Sequence, residues 1–306
     1  MSRTRKLLTV VYILILLNIS YIFAFRHEQI INYVTDKIVN MKAKNVIIPT
    51  EVFNQKDYAF DTVESTTHFE PHDIVDLRKI YYTVLNNGWT SFTFYCPPEY
   101  ENCIADVETL GDSSDYLTLI NNYVSPYNAY KKYNTLISGD EVYLSIDKLY
   151  TSDEILELQE FVDRTIKELN INEDNVSVDD IKKIHDYLLG RISYDTDYEI
   201  NHTEEISNNA YGAITTGLAL CSGYTDTFNI FLDRLGIPNF KITTAKHVWT
   251  AIYFEDKWSH IDLTWDDDEI NKNNNHNFFM ISTEDLLKKD EEEHSFNQDE
   301  ILEFKK

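Results

Sequence analysis

A cysteine, a histidine and an aspartate follow one another along the chain in the order that a thiol-dependent enzyme needs. They are Cys221, His247 and Asp262. In such an enzyme the thiolate attacks a carbonyl carbon, the histidine moves the proton, and the carboxylate holds the imidazole in one tautomer. The order therefore predicts a triad with Cys221 as the nucleophile, His247 as the base and Asp262 as its orienter.

The segment after the cysteine has the pattern of an amphipathic helix that ends at Gly236 and Pro238. Its apolar residues recur at spacings of three and four, at Tyr224, Phe228, Phe231, Leu232 and Leu235. This pattern puts Cys221 at or just before a helix N-terminus. Unpaired N–H groups and the positive end of the helix dipole favour a thiolate there.

The base and its orienter lie on two predicted strands, at residues 247–254 and 257–263. Glu255-Asp256 is compatible with a two-residue turn between them. That turn pairs Phe254 with Lys257. In this register His247 and Asp262 are diagonal neighbours on one face, with Cβ atoms roughly 7 Å apart. We expect Nδ1–H of His247 to reach the carboxylate.

Three motifs in this order resemble the transglutaminase-like superfamily, in its bacterial, membrane-anchored type. They are C-x-G-Y at residues 221–224, H-x-W at 247–249 and W-x-x-x-D-x-T-W at 258–265. The resemblance implies a papain-like core, in which the helix bearing the nucleophile packs on an antiparallel sheet. It gives the triad the same three roles and implies supporting roles for Gly223, Tyr224 and Trp249.

Two other histidines compete for the catalytic role, and one part of the site stays open. His185 lies on a helix that precedes the nucleophile, and His260 lies two residues before Asp262. We interpret His185 as structural and His260 as a half-exposed strand residue. The backbone N–H of Cys221 is one candidate oxyanion donor; Tyr194, Tyr211 or a side chain of the 181–192 helix is the second.

An apolar segment near the N-terminus predicts a membrane anchor. Arg3, Arg5 and Lys6 precede the almost unbroken apolar run 7–25. A helix of that length spans about 28 Å, near the thickness of bilayer hydrocarbon. The basic flank predicts a single-pass protein of the cell membrane with its N-terminus inside and residues 26–306 outside. The alternative is secretion after cleavage of a signal peptide.

The three cysteines fit an exported protein. Cys96 and Cys103 flank a six-residue spacer that suits a disulfide, although two reduced, buried cysteines are the alternative. Cys221 then remains free. The histidines and cysteines show no ligand-like spacing, so we predict no metal site, and the triad chemistry requires no cofactor.

The charge balance restricts the partners. The 306 residues include 27 basic and 52 acidic ones, for a net charge of −25. A nucleic-acid partner would need a basic patch, so we predict none. The expected partners are a protein or peptide substrate and, through the N-terminal helix, the membrane.

The patterns along the chain predict an α+β protein in five parts. Residues 1–25 form a cytoplasmic stub and transmembrane signal anchor, and 26–68 a linker or stalk. Residues 69–150 form a small α+β module, 151–285 the transglutaminase-like domain and 286–306 a solvated acidic tail.

Two functions fit these predictions. The first is an exported, membrane-tethered acyltransferase or amide hydrolase, acting as a peptidase, deamidase or cross-linking enzyme through a thioester on Cys221. The alternative is an inactive transglutaminase-like module that binds or scaffolds at the cell surface. The intact triad favours the enzyme.

Overall fold

The computed structural model describes residues 46–56, 63–112, 114–267, 275–289 and 292–296. The predicted anchor at 7–25 lies outside them. Within the described ranges no helix is both long and apolar enough to cross a bilayer.

The first part of the described chain is an α+β arrangement built on a three-stranded antiparallel sheet of order β1-β3-β2. Asp73 begins helix α1 because its carboxylate accepts from the N–H groups of Val75 and Asp76. The elements are α1 (Ile74–Asn86), β1 (Ser91–Tyr95), α2 (Cys103–Asp112), α3 (Ser114–Asn122), a 3-10 turn (Pro126–Asn128), β2 (Tyr130–Ser138) and β3 (Glu141–Lys148).

A disulfide closes the loop between β1 and α2. It joins Cys96 to Cys103, whose Cα atoms lie 5.7 Å apart. Both side chains are buried against the apolar core. Cys221 is therefore the one free cysteine among the three, all of which the structure describes.

A run of helices follows, and two of them begin at capping boxes. Thr151 and Glu154 exchange hydrogen bonds at the start of α4, and Ser177 and Asp180 do so at the start of α5. The elements are α4 (Ser152–Glu168), α5 (Val178–Leu189), β4 (Ser193–Tyr194), α6 (Tyr198–Asn201), α7 (Glu204–Ser207), α8 (Ala210–Thr216) and β5 (Leu218–Ala219).

The long helix α9 (Cys221–Arg234) precedes a second antiparallel sheet, ordered β6-β7-β8. Phe254 pairs with Lys257 in the hairpin, as the sequence predicts. Glu255 and Asp256 both have positive φ, the conformation of a two-residue turn that matches the strand twist. The remaining elements are β6 (Asn239–Thr243), β7 (Val248–Phe254), β8 (Lys257–Ile261), α10 (Leu263–Asp266) and α11 (Thr283–Lys289).

The second sheet is covered on both faces. Trp249 and Ala251 of β7 join an apolar core shared with the first sheet and α1. Ile252 joins a second core with α4, α5 and α9. Alternate residues of one strand therefore face different layers, and the strand is held on both sides.

The segment predicted to be part of a stalk is docked where the structure describes it. Lys56 is 4% exposed, and its Nζ lies 2.8 Å from Oδ1 of Asn239 and 3.1 Å from Oδ1 of Asp233. Burial lowers the pKa of Lys56, although Asp233 opposes that shift. The end of the predicted linker is thus anchored beside α9 and β6.

We expect the disulfide to contribute measurably to stability. Its cysteines are seven positions apart. For a loop of this size, replacing both Cys96 and Cys103 by alanine is expected to cost about 2–3 kcal/mol in the free energy of unfolding, measured with urea. As a control, the denatured, unreduced wild type should titrate one thiol. Three thiols would contradict the pairing.

Candidate active site

Cys221 is the first residue of α9. The preceding residue, Leu220, makes no side-chain hydrogen bond to the helix start. Gly223 lies in the first turn, where a Cβ atom would come within 2.4 Å of the backbone oxygen of Ser207. The glycine therefore lets the start of α9 pack directly against the backbone at the end of α7, which fixes the position of the cysteine.

Polar side chains of α9 hold the helix to the sheet. Thr225 donates to the backbone oxygen of Val248 at 3.0 Å, one residue after His247. Asp226 accepts from Lys241 at 2.9 Å in a buried ion pair. These contacts set the position of α9 relative to β6 and β7, and hence that of the thiol relative to the base.

His247 lies just before β7 in a turn that Thr244 stabilises. Oγ1 of Thr244 accepts the His247 backbone N–H at 3.1 Å. Nε2 of the imidazole lies 2.6 Å from Oδ2 of Asp262, and Cys221 lies close enough to raise the pKa of the ring. The prediction that Nδ1 faces Asp262 is wrong. Strand pairing ends at Thr250 and Ile261, so His247 and Asp262 both lie outside the ladder on which that prediction was based.

Asp262 follows β8 and caps the short helix α10. Its Oδ1 accepts the backbone N–H of Trp265 at 3.2 Å, and the residue is 2% exposed. Burial opposes its ionisation, but hydrogen bonds from His247 and His294 outweigh burial and lower the pKa of Asp262. The site thus holds a buried carboxylate as an ion.

The protonation of His247 follows from its partners. Burial by itself lowers the pKa of the imidazole, yet its contacts with Asp262 and Cys221 raise it to about 10. The imidazole is therefore charged and is stabilised by a buried carboxylate, and it lies beside the free thiol.

The three supporting residues surround this network. Trp249 is fully buried and stacks on His247 with ring centroids 5.8 Å apart. Tyr224 donates its hydroxyl to Asp267, joining α9 to the segment after Asp262. Together with the close packing at Gly223, these contacts restrict the movement of the triad.

The rival histidines make other contacts. His185 is fully buried, and its Nε2 lies 3.2 Å from Oδ2 of Asp266. His260 is 4% exposed, so the prediction of a half-exposed residue is wrong. It is buried because the core of the two sheets encloses this side of β8. The indole N–H of Trp249 donates to Nδ1 of His260 at 3.1 Å.

His294 is a residue of the site that the sequence patterns do not predict. Its Nε2 lies 2.8 Å from Oδ2 of Asp262, the same oxygen that binds His247. The surrounding Asp290 to Glu300 stretch is strongly acidic, which indicates a solvated tail. The only local signal is a histidine and Phe296 among charged residues. The prediction of a solvated tail is therefore wrong at His294, which is 0% exposed.

Histidine and aspartate side chains that could bind a metal also come together in the fold, although each group includes residues that are far apart along the sequence. One group is His247, Asp262 and His294; another is His185, Asp186 and His276. In both, imidazole nitrogens and carboxylate oxygens are hydrogen bonded directly, as at 2.6 Å between Nε2 of His276 and Oδ1 of Asp186. These residues could hold a cation only by exchanging such hydrogen bonds.

The His247–Asp262 pair predicts a pH-dependent stability. The folded-state pKa of His247, about 10, exceeds its unfolded value. The stabilisation that protonated His247 gives the folded state is therefore complete below about pH 6.5 and is lost as the pH rises through about 10. The lowered pKa of Asp262 makes its contribution complete above about pH 4 and lost on acidification.

Asp262→Asn should therefore lower the free energy of unfolding most near pH 6, by about 3 kcal/mol, and by less above about pH 9. Urea unfolding of both proteins at each pH measures the difference. A difference that does not change between pH 6 and pH 10 would contradict the assignment.

Comparisons with known proteins found similar solved structures and a matching family model. The similar solved structures include these two. One, described as a TGase, is 15% identical, with a TM-score of 0.34 over 47% of this chain and 46% of the other. The other, a putative cysteine protease from Cytophaga hutchinsonii, is 14% identical, with a TM-score of 0.27 over 44% of this chain and 61% of the other.

This chain thus spans about half of the first of these proteins. No curated protein matches the sequence. Residues 164–263, which include Cys221, His247 and Asp262, match the family model of the transglutaminase-like superfamily, so this segment is a transglutaminase-like domain.

Proposed function

We propose that this protein is a thiol-dependent acyltransferase or amide hydrolase that acts through a thioester on Cys221. One observation supports the proposal most. The free thiol at the start of α9 lies close enough to the His247 imidazole to raise its pKa, and that imidazole is itself bound to a buried, ionised carboxylate. This is the arrangement that activates a cysteine nucleophile.

The reaction follows from the positions of these groups. The Cys221 thiolate attacks the carbonyl carbon of an amide and forms a tetrahedral intermediate. His247 then gives its proton to the leaving amine as the C–N bond breaks, which leaves a thioester on Sγ. Water or a second amine attacks the thioester, and His247 takes its proton. The C–S bond then breaks, which regenerates the Cys221 thiolate and releases an acid or a new amide.

The oxyanion requires hydrogen-bond donors on the other side of the carbonyl. The backbone N–H of Cys221, at the start of α9, is one candidate. Among the two tyrosines considered, Tyr211 donates to Glu157 at 2.9 Å on the exposed side of α8. Burial raises the pKa of Tyr194, and the charge of Cys221 raises it further, which means that the Tyr194 hydroxyl lies near the nucleophile. It is therefore the better candidate for the second donor.

The first test is to trap the acyl-enzyme. We expect full-length protein mixed with glutamine-containing peptides and quenched in acid to gain the mass of a peptide less ammonia, on Cys221 alone. Cys221→Ala should gain nothing, and His247→Ala should acylate about 100-fold or more slowly. Added amine should convert the adduct to an amide if the enzyme cross-links, and water to an acid if it deamidates.

Peptides cleaved at the backbone would identify a peptidase instead. If no adduct and no product form with any of these peptides, the alternative of a binding or scaffold module replaces the proposal.

We also propose that the catalytic part is exported and tethered to the cell membrane through residues 7–25. The apolar run after three basic residues supports a tether. The disulfide between Cys96 and Cys103 supports an oxidising compartment. A protein or peptide at the cell surface is then the expected substrate.

Fractionation tests the location. Full-length protein should stay in the membrane pellet after alkaline extraction, and a protease added to intact cells should digest residues 26–306. Recovery of the shortened protein from the medium would show cleavage and secretion. Protection from the protease in intact cells would contradict export.

A further inference from the structure

The C-terminal segment at residues 292–296 contributes a buried imidazole to the active site. His294 is 0% exposed. Its ring stacks on Phe278 at 5.4 Å and meets the edges of Trp265 at 5.3 Å and Trp249 at 4.9 Å. A polar ring in such apolar surroundings needs a hydrogen-bond partner. Asp262 provides it, with Oδ2 2.8 Å from Nε2 of His294.

The contact falls on the oxygen that orients the proposed base. Oδ2 of Asp262 accepts from His247 at 2.6 Å and from His294 at 2.8 Å, while Oδ1 accepts from Trp265 at 3.2 Å. These three donors from three separate segments leave the carboxylate little freedom to rotate. Since each donates to the charged form, together they offset much of the cost of burying it.

The same segment is attached to the turn that carries the base. Oγ1 of Thr244 accepts the His247 backbone N–H and lies 3.2 Å from the backbone oxygen of Glu293. Lys246 and Glu292 form an exposed ion pair at 3.0 Å beside it. The C-terminal segment therefore contacts both the base and its orienter.

We propose that His294 is a positioning residue for this chemistry: by donating Nε2–H to Asp262 it holds the carboxylate that orients His247. This inference rests on the proposed function. The active site is then completed by a residue 32 positions beyond Asp262, and the C-terminal segment is part of it. The titratable groups near the carboxylate are His247 from the turn before β7, Cys221 of α9 and His260 of β8. Burial lowers the pKa of His260, and the charge of His294 lowers it further.

The test compares glutamine and asparagine at position 294. The Nε2 amide of glutamine can occupy the place of the histidine Nε2–H, whereas the shorter asparagine cannot reach it. The alkylation rate of Cys221 in the full-length protein is measured against pH for the wild type, His294→Gln and His294→Asn. The exposed His72 provides a control, His72→Gln, that should match the wild type.

We expect His294→Asn to react about tenfold more slowly near neutral pH, the loss typical of one hydrogen bond to a charged group. The acid limb of its profile should move to higher pH, because a carboxylate that loses a donor is protonated more readily. His294→Gln should restore both features. If the glutamine and asparagine variants behave alike, or both match the wild type, the proposal is overturned.

A second measurement separates this proposal from the proposed function. In protein labelled with ¹³C at aspartate carboxyl groups and carrying Cys221→Ser, the titration of Asp262 requires no reactive thiol. His294→Asn should raise the pKa of Asp262, and His294→Gln should leave it near that of the Cys221→Ser parent. An unchanged pKa in the asparagine variant refutes the role of His294. An inert thiol in the wild type refutes only the proposed function.

Discussion

The candidate active site depends on one energetically unfavourable feature, the ionised carboxylate of Asp262 in a buried position. Without partners such a group would take up a proton. Its oxygens instead receive N–H groups from His247, Trp265 and His294. Each donor comes from a different segment, so satisfying one carboxylate brings together the turn before β7, the start of α10 and the C-terminal segment. The charge on His247, which lies beside Cys221, follows from that arrangement.

The rest of the fold positions the thiol against this carboxylate. The β6–β8 sheet lies between two apolar cores, one shared with the first sheet and one with α9. Polar contacts such as Lys241–Asp226 and Thr250–Asn229 then fix how α9 sits on the sheet. Apolar packing by itself is not directional, whereas these hydrogen bonds are. The distance between nucleophile and base is therefore set by buried polar pairs.

The sequence predicts the parts of the site that local patterns determine. A helix start at Cys221 and the pairing of Phe254 with Lys257 follow from spacing and from a two-residue turn. It does not predict which nitrogen of His247 faces Asp262. Both residues lie beyond the last paired residues of β7 and β8, so the strand register does not determine how the imidazole is oriented. Nor does it predict His294, since a single histidine in an acidic stretch has no periodic pattern and its partner is distant along the chain.

The pH dependence of iodoacetamide labelling tests most directly whether the network makes Cys221 a nucleophile. Cys221 is the one free cysteine, so the label reports on it alone. We expect rapid labelling of the full-length wild type below about pH 7 and much slower labelling of His247→Ala. If the wild type instead reacts only near about pH 8.5, as an ordinary thiol does, and His247→Ala reacts equally well, the proposed activation of Cys221 by His247 is wrong.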